Sequence, residues 1–350
     1  MKAINVGVAH DWRPEEALPR VVLALRSAKR VLCTMHRHPD GDALGSALAL
    51  ATALRELGHE VVVYNPDDLP YNFRFLPGAA AVVKTLAPTE RFDATVATDS
   101  GKAARLGPDL PGPGRRGVFI NLDHHVTAEP FGDLNFVDPA AAAVGVLVFK
   151  IIQGLGATVS RDAATCIYAS ILADTGSFRY SSTDPESLRI AAALIEAGVD
   201  PWEMTVQVYE QQPLARLKLL GEVLSTLALA PGGKLATLTI TNAMKARTGT
   251  AQDLTDGFIN HARSISGVEV AASFTEPGSE SFEQGVPPGW YVSFRSRGRV
   301  DVSKIARKFG GGGHKNAAGC TIAGTEAEVR ARIAAEIERE IELAAPESKQ

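Results

Sequence analysis

The sequence predicts an α/β fold, with a parallel sheet covered on both faces and a smaller α/β region after it. Three observations lead there. Apolar, β-branched runs alternate with helical or loop stretches through the first part of the chain. The texture changes after Pro231-Gly232-Gly233, where further strand-like runs begin. The length of 350 residues suits two domains rather than one. A hydrophobic share of 45% and a charged share of 22% are those of a globular chain able to bury its cores.

The elements follow in order. Residues 1–13 carry no pattern. Glu15 to Ser27 suits a helix packed on a sheet through Ala17, Val21, Leu23 and Leu25. Val31-Leu32-Cys33-Thr34-Met35 reads as the first strand, and Leu44 to Leu57, closed by Gly58, as the next helix. Glu60–Asn65 is the second strand and stops at the turn Pro66-Asp67-Asp68. Phe92–Asp99 and Gly117–Asp123 are the third and fourth, with a Pro/Gly loop over Pro108–Gly114 between them. Helical patterns cover Pro139–Gly156, Arg161–Ala173 and Pro185–Gly198. Pro201–Leu229 reads as one or two linking helices, with Leu214, Leu217, Leu220 and Leu224 as a buried face. Lys234–Ile240, Val268–Phe274 and Trp290–Ser296 are strands, and Pro277–Pro288 is a mobile hairpin loop. A short helix over Asp301–Phe309 leads into the run Gly310-Gly311-Gly312-Gly313-His314. A last strand precedes a helix opened by the capping box Thr325-x-x-Glu328, with Val329, Ile333, Ile337 and Ile341 as its buried stripe. The chain ends in a frayed tail after Pro346.

Composition excludes several classes. A net charge of −4 argues against coating long nucleic acid through bulk charge, although a local basic pocket remains compatible with it. Cys33, Cys166 and Cys320 are far apart and form no CxxC pair, so zinc knuckles and disulfide frameworks are unsupported and a reducing cytoplasm fits. No signal peptide is visible, and no apolar run approaches the roughly 20 residues that span a bilayer, so no membrane partner is expected.

The chemistry concentrates where strands end. The stretch His36-Arg37-His38-Pro39-Asp40-Gly41-Asp42 lies between the first strand and its helix. Alone it reads equally as a metal site or as a turn whose aspartates cap the helix. His38 has no evident role and Arg37 is expected to face solvent. The third strand ends at Asp99, the fourth at Asp123-His124-His125, and a later helix at Asp174. In a parallel sheet the carboxyl ends lie along one edge, where ligands bind. His36, Asp40, Asp42, Asp99, His124 and Asp174 then converge. Such a nitrogen- and oxygen-rich set without thiolate suits Mn²⁺, with Mg²⁺ as the alternative. The donors are too many for one ion and suit two, about 3.5–4 Å apart and bridged by one carboxylate, an arrangement used for phosphate-ester hydrolysis. His125 is then left to act as an acid or to touch phosphate.

These residues carry a resemblance. Asp123-His124-His125 is the triplet that names the DHH phosphoesterases, and the HxxxDxD pattern at 36–42, Asp99 and Asp174 stand in that family's order. Gly311-Gly312-Gly313-His314-x-x-Ala317-Ala318-Gly319 resembles the signature of the associated DHHA1 domain. The resemblance spans about Val31 to Ile322. It implies an N-terminal parallel-sheet DHH domain over 1–200, a helical linker over 201–233, a DHHA1 domain over 234–345 and a tail over 346–350. It further implies that His36, Asp40 and Asp99 hold one ion. Asp42, Asp99, His124 and Asp174 would hold the second, with Asp99 bridging. By the same resemblance His125 lies near the scissile phosphate and Asp123 orients a histidine.

The second domain reads as a grip for substrate. A glycine run lets backbone approach a ligand and presents N–H groups to anions. Gly311, Gly312, Gly313 and His314 are therefore substrate-binding candidates, with Lys315 adding charge. Arg295 carries a guanidinium suited to phosphate, and the resemblance adds the pair Arg295-Ser296 as nucleotide contacts. Arg297 and Arg299 read as a solvated strand end. Asn260 and His261 read equally as cleft residues or as helix surface.

Length and the lack of further domains look most like the branch that degrades short oligoribonucleotides. The resemblance then implies Mn²⁺-dependent hydrolysis of short RNA or DNA oligonucleotides, including linear dinucleotides such as pGpG and pApA. It implies 3′-phosphate removal from adenosine 3′,5′-bisphosphate (PAP) as well. The alternatives are a RecJ-like single-strand DNA exonuclease, a cyclic dinucleotide phosphodiesterase, a type II inorganic pyrophosphatase and a non-catalytic nucleotide-binding regulator. An intact Asp/His cluster weighs against the last, because buried charge is hard to keep without a partner. Oligomeric state stays open between monomer and homodimer.

Overall fold

A computed structural model describes residues 14–250, 252–278 and 289–344. The chain divides into two units, one up to Gln211 and one from Gln212. The expected mobile loop, beyond Gly278, and the tail after Pro346 lie outside the described residues.

The first unit is built on a five-stranded sheet in the order β2-β1-β3-β4-β5. Its strands are β1 (Arg30–Met35), β2 (Glu60–Tyr64), β3 (Ala94–Thr98), β4 (Val118–Asp123) and β5 (Leu134–Val137). All pairings are parallel. β5 has no counterpart in the sequence reading. Four residues, one of them the buried Asn135, are too short to show a strand period. The helices are α1 (Pro14–Ser27), α2 (Gly41–Glu56), α3 (Val144–Leu155), α4 (Arg161–Asp174), α5 (Pro185–Glu196) and α6 (Pro201–Thr205). On α1 the buried residues are Ala17, Val21, Val22 and Leu25, while Leu23, expected on the same face, is 67% exposed because it lies across the helix from them. A π-helical turn, Val206–Glu210, closes the unit.

α2 is buried along nearly its whole length, because it lies between the sheet and the pair α3 and α4. Leu44, Leu48, Leu50 and Leu54 are fully buried there, each contributing about 1.5–3 kcal/mol. A Cβ on Gly45 would stand 2.5 Å from the Cys166 carbonyl of α4, so glycine permits the close crossing of the two helices. α3 begins later than the sequence suggested, at Val144 rather than at Pro139. The segment before it forms turns whose backbone serves the site described below.

The second unit holds a six-stranded sheet in the order β10-β11-β9-β8-β7-β6. Its strands are β6 (Ala228–Leu229), β7 (Leu235–Ile240), β8 (Val270–Thr275), β9 (Gly289–Ser296), β10 (Gly312–His314) and β11 (Ala317–Ala323). Only β7 and β8 run parallel, so this sheet is mixed. Its helices are α7 (Leu214–Leu224), α8 (Asn242–Thr248), α9 (Ile259–Ser264), α10 (Val302–Lys308) and α11 (Glu326–Leu343). The capping box at Thr325 and Glu328 forms, and Val329, Ile333, Ile337 and Ile341 are buried as read. The expected buried face of α7 is displaced. Leu214 is 68% exposed and Leu217 49%, whereas Leu220 and Leu224 of the expected face do pack, half-buried, against the core that Leu219 and Val223 enter fully. An apolar stripe of leucines leaves the helix rotation open by one residue, and packing against β7 settles it.

Candidate active site

The sheet order reverses between β1 and β3, and in open α/β sheets such a point opens a crevice at the strands' carboxyl ends. Met35 pairs with Thr98, and Thr98 with Leu122. The next residues, His36 and Asp99 just past their strands and Asp123 at the end of β4, therefore emerge side by side.

Asp99 is the centre of the arrangement. Its Oδ2 lies 3.6 Å from His36 Nε2, and its Oδ1 lies 3.6 Å from His124 Nε2 and 3.2 Å from His125 Nδ1. Its backbone is left-handed, with φ +54°, a conformation that aspartate tolerates and that turns the carboxylate back over the strand ends. Three clusters share this residue: His36, Asp40 and Asp99; Asp42, Asp99 and His124; Asp99, Asp123 and His125. Within each, one donor atom per residue lies within 4.8 Å of the others. Asp174, at the end of α4, adds Oδ2 at 3.0 Å from His124 Nε2.

The histidines are oriented for metal binding. His36 Nδ1 hydrogen-bonds the Arg37 carbonyl at 2.7 Å, and His124 Nδ1 the Ala141 carbonyl at 3.0 Å. Each bond fixes a proton on Nδ1 and turns Nε2 toward the carboxylates. His125 differs. Its Nδ1 faces Asp123 Oδ1 at 2.8 Å, and the same oxygen accepts the His125 backbone N–H. That pair of bonds fixes the orientation of the His125 ring.

The two aspartates of the opening motif both cap helices, though not the same one. Asp40 Oδ1 accepts the Ala43 N–H at 3.0 Å and is the N-cap of α2. The same oxygen lies 3.8 Å from His36 Nε2, and its side chain is 56% exposed. Asp42 caps α3 from outside that helix, which has no side-chain cap of its own. Its Oδ2 accepts the Val144 N–H at 2.8 Å, and its Oδ1 the Gly145 N–H at 3.3 Å. Ser46 and Ser170 donate to Asp42 Oδ1 at 2.9 and 2.6 Å, and Ser170 also accepts the Gly145 N–H at 2.9 Å. The cap and the metal readings of this stretch are therefore compatible. Nothing in the sequence marks Ser170, save that it stands one helical turn before Asp174 on α4.

Electrostatics ask for a cation. Burial resists charge on His36, yet Asp40 and Asp99 outweigh it and carry its pKa up to about 10. Burial is likewise outweighed at His125, where Asp123 and Asp99 raise the pKa to about 10. His124 is driven well above its ordinary value by Asp174 against the same resistance. Asp99 is held well below the carboxylate range, because His125 and His36 overcome its burial. Protons on imidazoles thus balance the carboxylates, a balance that a divalent cation can take over. Asp99 Oδ1, buried, accepts no hydrogen bond among the described residues. An oxygen in that position fits a metal ligand better than a structural group.

In the second unit, Gly311 and Gly313 serve the hairpin of β10 and β11. A side chain at Gly311 would collide with the Gly319 carbonyl, and one at Gly313, where φ is +138°, with the Ala317 carbonyl. At Gly312 nothing stands within 4 Å of an added Cβ. Of the three, Gly312 has room for a ligand, and His314 beside it is half-buried. Arg295, on β9, pairs with Ala317 and keeps its guanidinium half-buried, with one donor on the Phe294 carbonyl at 3.0 Å. Ser296 is buried and its hydroxyl donates to Asn316 Oδ1 at 3.1 Å, which holds the end of the strand. Asn260 stands on α9 with a buried Oδ1 that has no hydrogen-bond partner among the described residues. Arg297 is exposed just past the end of β9, as the sequence suggested. It donates to the carbonyls of Arg263, Ser264 and Ile265 at 3.1–3.2 Å and clamps the end of α9.

Residues 30–171 match the model of the DHH family, N-terminal domain, and residues 232–343 that of the DHHA1 domain. The chain belongs to the DHH family. Among DHH relatives, it is 36% identical over 315 residues to the bifunctional oligoribonuclease and PAP phosphatase NrnA of Thermus thermophilus, covering 90% of each chain. It is 29% identical over 295 residues to the protein of the same name from Bacillus subtilis, covering 82% of this chain and 88% of that one. In structure it is similar to an exopolyphosphatase-related protein from Bacteroides fragilis, with a TM-score of 0.82 and 25% identity, covering 94% of this chain and 98% of the other. Among the described residues, no helix is long and apolar enough to cross a membrane.

Proposed function

We propose that this DHH protein is a two-metal phosphoesterase that hydrolyses short RNA oligonucleotides, linear dinucleotides included, to mononucleotides. We propose that it also removes the 3′-phosphate of PAP. The observation that carries the reading is Asp99, within reach of His36 and Asp40 on one side and of Asp42 and His124 on the other. The two NrnA relatives, named for both activities, support the substrate class.

In this reading His36, Asp40 and Asp99 hold one divalent cation, and Asp42, Asp99, His124 and Asp174 the other. The donor set favours Mn²⁺ over Mg²⁺. When bound, the ions supply Lewis-acid polarisation of the phosphate. The chain's own residues do the rest. Asp123 holds His125 through Nδ1, and His125 acts as the acid toward the phosphate or the leaving oxygen. Arg295, Gly312, His314 and Asn260 take the nucleotide portion, while Gly311, Gly313 and Ser296 keep that surface in shape. The three cysteines are free and buried, in keeping with a reducing cytoplasm.

The test is a substrate panel in Mn²⁺ and in Mg²⁺: PAP, an RNA dinucleotide, cyclic di-AMP and pyrophosphate. Release of phosphate from PAP and cleavage of the dinucleotide, both faster in Mn²⁺, are expected. Turnover of cyclic di-AMP or pyrophosphate alone would replace this reading with one of the other phosphoesterase classes.

A further inference from the structure

β2 brings no metal-ligand candidate to the carboxyl edge, and its end is nevertheless tied to that edge. Asn65 follows β2 directly and is fully buried. Its Nδ2 donates to the backbone carbonyl of His36 at 2.9 Å, and its Oδ1 accepts the Asp67 N–H at 3.0 Å. Its own N–H goes to the Val83 carbonyl, which anchors the residue to the body of the unit. Asp67 then reaches back to the same loop. Its Oδ2 accepts the His38 N–H at 2.8 Å, and Arg37 forks onto both carboxylate oxygens at 3.2 Å. Between these anchors His38 is held at φ +52°. The left-handed residue lets the chain turn from His36, at the end of β1, to Asp40, at the start of α2.

We propose that Asn65 and Asp67 are positioning residues that set the affinity of the ion site formed by His36, Asp40 and Asp99. The inference rests on the reading of those three residues as a metal site. The physical argument is one of loop freedom. Asp40 is more than half exposed, and the turn between His36 and Asp40 runs over Arg37 and His38, both exposed. Within the turn Pro39 is buried and the Arg37 N–H donates to the Arg105 carbonyl at 2.7 Å, and the left-handed His38 between them takes its side-chain support from Asn65 and Asp67. Asn65 grips the turn at His36 and Asp67 grips it at His38, so the donor atoms stay at their spacing before a cation arrives. The second ion site needs no such brace, because Asp42 is held by Ser46, Ser170 and the start of α3. Asp68 is the natural control. It adjoins Asp67, its side chain is 72% exposed, and it pairs with Lys84 rather than with the loop.

The experiment is a Mn²⁺ titration of the full chain, stripped with chelator, followed by the electron paramagnetic resonance of free Mn²⁺. Melting temperatures in chelator are measured alongside. Wild type is expected to bind two ions and His36→Ala one. Asp67→Ala is expected to weaken one of the two ions by roughly 10–100-fold, the scale for residues that orient ligands. Its melting temperature should stay near wild type, and Asp67→Glu should recover part of the affinity. Asp68→Ala should match wild type in both measurements. Asn65→Ala should weaken the same ion as Asp67→Ala, with some loss of stability because Asn65 is buried. Wild-type affinity for both ions in Asp67→Ala overturns the inference. So does an equal weakening of both ions together with a fall in melting temperature, which would mark a general structural role. A His36→Ala protein that still binds two ions overturns the metal-site reading itself, and the inference with it.

Discussion

The carboxyl edge of the first sheet and the glycine hairpin of the second are each spelled by a short motif, and they are built in opposite ways. At the edge, side chains are present and locked. Asp42 accepts bonds from two hydroxyls and two backbone N–H groups, and His36 and His124 are each fixed through Nδ1. At the hairpin, side chains are missing so that backbones can meet, as at Gly311 and Gly313. The difference teaches that identical letters in a motif carry different duties. The chemistry of the first region is in its donor atoms. In the second, much of the motif serves the fold, and Gly312, His314 and Arg295 remain for a ligand.

Substitutions sharpen that contrast. The largest effect is expected at Asp99. Asp99→Asn keeps a residue that tolerates φ +54° and removes the charge. Hydrolysis of an RNA dinucleotide should fall by roughly three orders of magnitude, on the scale of losing a group that stabilises developing charge. Circular dichroism should be unchanged. Next comes Ser170→Ala, which strips one donor from Asp42 and an acceptor from Gly145 N–H. Activity and metal affinity should each drop about 10–100-fold, whereas a loss of melting temperature alone would make Ser170 purely structural.

The hairpin separates by position. Gly311→Ala should destabilise the second unit by about 1–3 kcal/mol through overpacking. Gly312→Ala should leave the melting temperature alone and raise KM. Equal behaviour of the two would erase the distinction drawn between them. Arg295→Ala should raise KM by about 10-fold, the scale of one charged hydrogen bond, and leave Mn²⁺ binding intact.

The smallest effect is one of pH. His36 and His125 have folded pKa values of about 10, above the ordinary ~6.5. Their contribution to stability is full below about pH 6.5 and is lost as pH rises toward 10. Thermal melts in chelator should therefore fall between about pH 6 and pH 9, and Mg²⁺ should flatten that slope. A rise over the same range would mean that the imidazoles are neutral in the folded chain.

Much of this was legible in the sequence. The order of β-branched strands and helices announces the parallel sheet, and acidic residues after strands β1, β3 and β4 announce the edge where they meet. Those signals survive because ligands must be specific residue types at strand ends. Other features leave no such trace. β5 is too short to show a period, and the rotation of α7 depends on what it packs against. The left-handed backbone at Asp99 and the cap that Asp42 gives to α3 arise from tertiary placement, which no local pattern records. Ser170 and Asn65 are ordinary polar residues until the fold sets them against Asp42 and His36. Arg297 is the surface residue it looks like, but its bonds to the last carbonyls of α9 leave no mark in the sequence.

The central claim is that the Asp/His edge hydrolyses short RNA when divalent cations are present. The most direct measurement follows a 5′-labelled RNA dinucleotide and a long single-stranded RNA with the chelator-stripped full chain, before and after Mn²⁺ is restored. The account predicts no cleavage in chelator, recovery with Mn²⁺, and faster conversion of the dinucleotide to mononucleotides than attack on the long strand. An uncleaved dinucleotide in both Mn²⁺ and Mg²⁺, or a preference for the long strand, would contradict it.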